Sequence, residues 1–171
     1  MKNYSRGGRC RLFFEAGIVN ICKFLVAGFA LAGLFASCSA AGKVRSAFGG
    51  QLPLTVTVVP GANDDSAVAI DFVVVYDQKL LDEIVKVSAS DWFSKKSRFL
   101  ADHPQELAVE SREWVPGQPV APLTIPYRIG AKKVVLFANY NSPGEHRAVL
   151  PPQQPSSITL GETDVTVEAR P

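Results

Sequence analysis

The sequence predicts a mainly β protein, an antiparallel β-sandwich with a short helical insertion, behind an N-terminal export segment. Three observations point there. β-branched and aromatic residues recur in seven or eight short runs, spaced by about 8–12 residues and punctuated by Gly, Pro, Asn and Asp. Two runs, Phe72-Val73-Val74-Val75-Tyr76 and Val134-Val135-Leu136-Phe137-Ala138, are apolar throughout, as strands covered on both faces must be. Only between residues 77 and 100 does the apolar spacing turn helical.

The first element is the export segment. Residues 24–36 carry no charge. Thirteen residues at about 1.5 Å each reach roughly 20 Å as a helix, short of the ~30 Å hydrocarbon core. That length suits the apolar region of a signal peptide rather than a permanent span. Ahead of it Lys2, Arg6, Arg9, Arg11 and Lys23 stand against Glu15 alone, a net +4 that holds this flank cytoplasmic. Translation from near Val19 would leave a more compact basic region.

Directly after the apolar run, Leu34-Phe35-Ala36-Ser37-Cys38 resembles the bacterial lipobox, with Phe35 where Leu is usual. Lipidating enzymes and their peptidase need a thiol at the membrane face, preceded by small side chains that let the backbone enter a cleft. Ala36 and Ser37 meet that need. The alternative is a plain secretory signal cut nearby, with Cys38 a free thiol or discarded. Acylation at Cys38 would anchor the chain durably, each buried methylene contributing about 0.8 kcal/mol. Ser39 stands where Asp would signal inner-membrane retention, so the expected address is the periplasmic face of the outer membrane. Residues 39–51 are mostly small and read as a tether of about 20 Å. The expected organisation is therefore a signal over residues 1–37, a lipidated cysteine and tether over 38–51, and a sandwich over 52–171.

Cleavage changes the charge balance. The whole chain is +2, but beyond Cys38 thirteen Lys and Arg face fifteen Asp and Glu, a net −2. No basic run interleaved with aromatics remains there, which argues against a nucleic-acid partner. Cys10 and Cys22 fall in the discarded segment, so the mature domain is expected to fold without an internal disulfide.

The strands follow in order. Leu54-Thr55-Val56-Thr57-Val58 alternates, as a half-buried strand does. Pro60, Gly61, Ala62, Asn63, Asp64, Asp65 and Ser66 form a loop of turn-forming residues, read as exposed and polar. A longer strand covers residues 68–76. Leu80, Leu81, Ile84, Val85 and Val87 fall at helical spacing, and a second helical piece runs to about Leu100 with Ser88 or Ser90 as its N-cap. Pro104 stops it. Strands resume at 106–115, 123–127, 132–140, 146–150, 156–160 and 165–167, with Pro116-Gly117, Asn141-Ser142-Pro143-Gly144 and Pro151-Pro152 between them.

The mature part offers little catalytic chemistry. His103 and His146 have no neighbouring ligand or acid at metal spacing, and both read as solvated surface histidines. No phosphate loop, nucleophile elbow or paired-carboxylate motif is present. Asp64-Asp65 lacks the ring of oxygen ligands that calcium requires. Trp92 and Trp114 read as core aromatics, with an exposed partner hot spot as the alternative. The expectation is a binding protein with no cofactor or metal and no enzymatic activity.

The order of features resembles the outer-membrane lipoprotein family of the type VI secretion system (TssJ, also called SciN). The resemblance rests on Cys38, the first strand with its Asn/Asp loop, and Ala69-Ile70-Asp71-Phe72-Val73-Val74-Val75-Tyr76. It continues through Ser90-Asp91-Trp92-Phe93, Trp114-Val115-Pro116-Gly117-Gln118, the strand ending Ala138-Asn139-Tyr140, and Arg147-Ala148-Val149. Residues 102–109 match the family poorly. The resemblance implies a transthyretin-like sandwich that anchors the trans-envelope complex to the outer membrane by holding the periplasmic domain of a TssM-like inner-membrane protein. It further implies that residues 60–66 make that contact. The alternatives are another periplasmic binding lipoprotein on the same sandwich, or a small envelope enzyme.

Overall fold

The hydrophobic alternation of the first strand becomes a buried stripe. Leu52, Leu54, Val56 and Val58 are all at most 6% exposed along β1 (Gly50–Val58). The computed structural model describes residues 49–170; the expected signal peptide, Cys38 and residues 38–48 of the expected tether lie outside them. Within them the elements run β1, β2 (Val68–Val75), α1 (Gln78–Ile84), α2 (Ala89–Asp102), β3 (Leu107–Trp114), β4 (Leu123–Tyr127), β5 (Lys133–Asn139), β6 (Arg147–Leu150), β7 (Ser156–Leu160) and β8 (Val165–Ala169). β1 takes in Gly50 and Gln51, which the sequence assigns to the tether.

The strands form two four-stranded sheets, β4-β1-β7-β8 and β3-β2-β5-β6. This is the expected mainly β sandwich. One pairing departs from a purely antiparallel arrangement: β1 and β7 run parallel, with Leu54 opposite Ser156 and Val58 opposite Leu160. The reason lies in residues 151–155. β6 ends in the second sheet, and the proline-containing stretch crosses to the first sheet instead of turning back, so β7 starts from the same end as β1.

The core has two layers, and the parity of the two apolar strands explains both. Phe72 and Val74 on β2, with Val134, Leu136 and Ala138 on β5, face the other sheet and pack with Leu54, Val56, Ile158 and Leu160. Their odd neighbours Val73, Val75, Val135 and Phe137 face outward, where α1 and α2 cover them with Leu80, Leu81, Ile84 and Trp92. A strand sandwiched this way has no solvent face, hence no alternation. The helices begin where side chains can take up orphan amides. Asp77 Oδ1 accepts from Leu80 N at 2.9 Å, and Ser88 Oγ accepts from Asp91 N at 3.2 Å. Trp92, fully buried as expected, stacks between Phe99 and Phe137 at centroid distances of 5.5 and 5.0 Å. Trp114 is partly buried against the first layer, edge-on to Phe72.

The strand directions give the sandwich two distinct ends. The described chain enters at Gly49 and Gly50, where Gly50 pairs with Tyr127. Nine residues of β1 at about 3.3 Å carry it roughly 26 Å to the opposite end, where the loop after Val58 begins.

Candidate functional site

At the end opposite the entry point three connections meet: residues 59–67, 140–146 and 161–164. The first contains the loop singled out by sequence. Its backbone is left-handed over three consecutive residues, Asn63, Asp64 and Asp65, with φ of 52°, 55° and 57°, and Gly61 sits at 81°. Asn and Asp tolerate this region better than other side chains because their short polar groups bond locally. Here Asp65 Oδ1 accepts from Gly61 N at 3.0 Å, and Ser66 N donates to Asn63 O at 3.0 Å.

The loop is not uniformly exposed and polar, as the sequence suggests. Pro60, Asp64, Asp65 and Ser66 are exposed, Gly61 is half-buried, but Ala62 lies in the core and Asn63 is only 4% exposed. Asn63 ties the three connections together. Its side-chain amide donates to Ala67 O at 3.1 Å, its Oδ1 accepts from Asn141 N at 2.6 Å, and its backbone N donates to Glu162 O at 2.9 Å. Two of the seven candidate residues are thus buried, while the exposed side chains of Asp64 and Asp65 stand outward, the latter still accepting from Gly61 N.

His146 is the second departure. It is 6% exposed rather than solvated. A φ of 44° turns its imidazole beneath the Tyr140 ring, at a centroid distance of 5.0 Å. Gly144 makes room, since a Cβ there would lie 2.5 Å from the imidazole Cε1. The ring's Nδ1 faces Asp164 Oδ1 at 3.0 Å and its Nε2 faces Ser142 O at 2.8 Å. A His–Asp pair invites comparison with a catalytic triad. Here the nitrogen that would activate a nucleophile is committed to a backbone carbonyl, and Ser142 Oγ donates elsewhere, to Thr163 O at 2.8 Å. The pair is a clasp between connections. Tyr140 completes it, its hydroxyl donating toward Gly161 O and Asp164 O at 3.0 and 3.2 Å. Burial, and secondarily the Asp164 charge, push that hydroxyl's pKa up to about 12. His103 stays at the far end of α2, partly buried, its backbone N donating to Phe99 O at 3.0 Å, and joins no site.

A separate polar cluster lies on the helix-covered face of β2. Asp71, 1% exposed, accepts from Trp92 Nε1 at 2.8 Å, from Ser111 Oγ at 2.6 Å and from Lys96 Nζ at 2.9 Å. Ser111 and Lys96 are 2.9 Å apart, the reach of a nucleophile–base dyad. Both, however, donate to the same carboxylate, so the cluster is a pin that fixes α2 on β2 and β3. Among the described residues no three metal-ligating side chains gather, and no helix is long and apolar enough to cross a membrane.

Sequence reasoning missed Asn63 as a bridge and His146 as a clasp. An Asn heading an Asp-Asp turn hints at left-handed backbone, but nothing near it in the chain announces Asn141 or Glu162 as partners.

No protein-family model matches the chain, and no curated protein sequence matches it. Its structure is similar to that of the type VI secretion lipoprotein TssJ1 from Pseudomonas aeruginosa, at 16% identity and a TM-score of 0.53, over 72% of this chain and 98% of that one. It is similar to Lip from Serratia marcescens, a membrane-bound component of the type VI secretion system, at 14% identity and a TM-score of 0.54, over 72% and 99%. A chain of a type VI membrane complex matches at 17% identity and a TM-score of 0.51, over 69% and 97%. At these identities the likeness establishes the fold: a TssJ-like sandwich, spanning those proteins almost end to end.

Proposed function

We propose that the protein is an outer-membrane lipoprotein, acylated at Cys38, that anchors the type VI secretion trans-envelope complex by binding the periplasmic domain of a TssM-like inner-membrane protein. The observation that carries this reading is the fold, shared over 97–99% of the length of three type VI secretion chains: a lipoprotein, a membrane-bound component and a chain of a membrane complex. The lipobox-like segment ahead of Cys38 supports it independently. The role is assembly, and catalysis has no part in it.

The partner would meet the end of the sandwich that bears residues 60–66. That end lies roughly 26 Å along β1 from the point where the anchored chain enters. Asp64 and Asp65 present carboxylates there on a base held by Asn63. Labelled palmitate should enter the wild-type protein and be absent from Cys38→Ser; incorporation into the variant would refute the anchor. Pull-down of the TssM-like periplasmic domain should weaken on replacing Asp64 and Asp65 by Ser, with Asn63 retained. Full capture by that variant, with its thermal unfolding unchanged, would remove the loop from the interface.

A further inference from the structure

The entry end of the sandwich carries a feature that neither the core nor the proposed partner loop uses. Between β4 and β5 the chain turns through Arg128-Ile129-Gly130-Ala131-Lys132 into Lys133. Ile129 is 61% exposed, against 45% for Val115 and Val149. Gly130, with φ of 89° and open space about it, supplies the left-handed residue of this turn. A single exposed isoleucine is ordinary on a protein surface. Its surroundings are what distinguish this one.

Arg128 and Lys132, on either side of it, are exposed, and Lys133 follows half-buried. Among the described residues, none of the three pairs with a carboxylate, as is also true of the dispersed Lys79, Lys86 and Arg170, whereas Lys95, Lys96, Arg98, Arg112 and Arg147 all do. Arg128 instead lies over the Tyr76 ring, 4.3 Å from its centroid, and donates to Gln105 O. Asp77, just beyond the neighbouring end of β2, is occupied in capping α1. At the opposite end of the sandwich Asp64, Asp65, Glu162 and Asp164 are exposed. The domain therefore has a cationic turn without an ion pair at its entry end, where Asp77 and Glu106 also lie, and a cluster of exposed carboxylates at its far end.

The chain enters beside that turn. A methyl group on Gly49 would lie 2.7 Å from Tyr127 O and 3.1 Å from Arg128 Cα. Eleven residue steps separate Cys38 from Gly49, a covalent reach of about 40 Å at most. Those residues add Lys43 and Arg45 and no acid. An acyl chain on Cys38 keeps the turn within that reach of the leaflet, close enough to touch it.

We infer that the 128–133 turn is a second membrane contact: Ile129 seats in the interface of an anionic phospholipid leaflet while Arg128, Lys132 and Lys133 lie among its headgroup phosphates. The contact orients the domain so that residues 60–66 face away from the bilayer. It rests on the reading of Cys38 as the anchor, which supplies the proximity. Each basic side chain near an anionic surface contributes about fivefold to such an equilibrium, so two or three suffice once the anchor removes the cost of encounter.

The test uses the mature acylated protein on liposomes of phosphatidylethanolamine and phosphatidylglycerol, compared with liposomes of phosphatidylcholine alone. Amide hydrogen exchange over residues 128–132 should slow on the anionic liposomes only, and that over 161–164 should be the same on both. Ile129→Ser and Lys132→Glu should each reduce the slowing, and the double variant should abolish it, while the protein still co-floats with lipid; slowing undiminished in the double variant overturns the inference. Both side chains are exposed, so neither change threatens the fold. Acylated protein that floats but exchanges equally on both lipids overturns this inference alone. Protein bearing no acyl chain at Cys38 overturns the anchor and this inference with it.

Discussion

Asn63→Ala should destabilise the domain more than alanine at any exposed position of the 60–66 loop. The substitution removes a donor to Ala67 O at 3.1 Å and an acceptor of Asn141 N at 2.6 Å, each contributing about 0.5–1.5 kcal/mol net. Asn141 is exposed, so water can replace part of what its amide loses. Alanine must also adopt φ near 52°, which costs an ordinary L-residue roughly 1–2 kcal/mol and Asn less. Together, with water offsetting part of one bond, these amount to about 2–4 kcal/mol, from a total that for most domains is about 5–15. Asn63→Gly loses the same hydrogen bonds but relieves the dihedral, and should cost less. Asp64→Gly, whose wild-type side chain makes no bond within the loop, should stay within about 0.5 kcal/mol of wild type. Urea unfolding followed by tryptophan fluorescence reads all three, with an unchanged denaturant slope showing that the end states are comparable. A stable Asn63→Ala would refute the bridge, and a Gly variant weaker than the Ala variant would refute the dihedral cost.

Three further outcomes follow from the same geometry. Asp71→Ala strands Trp92 Nε1 and Lys96 Nζ; with Lys96 29% exposed, we expect a loss of about 2–4 kcal/mol by thermal unfolding, below the fully buried case. Full retention of stability would show that α2 is held by apolar packing alone. Tyr140 should ionise at about pH 12 in an absorbance titration, a step that Tyr140→Phe identifies as its own. Because its folded pKa lies above the ordinary 10.0, the stability it contributes is intact below pH 10 and lost as pH climbs toward 12; Tyr140→Phe should remove that alkaline step. Gly144→Ala forces a methyl against the His146 ring and should cost about 1–3 kcal/mol, read as faster amide exchange across residues 161–164. Unchanged exchange there would mean that the imidazole does not clasp the two turns.

Much of the fold is legible in the chain because it depends on neighbours in sequence. Alternation at Leu54, Val56 and Val58 predicts which face is buried, and the unbroken runs at 72–76 and 134–138 predict strands covered twice. Ser88 starts α2 where the sequence places a cap. The loop after β1 was recognisable from its turn residues, though not which of them face inward. Asn63 and Asp64 are alike as turn formers; one is buried and the other exposed because only Asn63 meets Asn141, 78 positions away.

By itself, then, the sequence determined the strands with their faces, the two helices and the places where the chain turns, and it predicts an export segment ending at a cysteine. The tertiary structure alone decided that β7 runs parallel to β1, that His146 closes on Asp164, and that a cationic turn and a carboxylate-bearing loop stand at opposite ends. Periodicity and turn chemistry act over a few residues and can be read along the chain. Partners brought together by sheet order are separated by tens of residues, and only the packing of the two layers selects them.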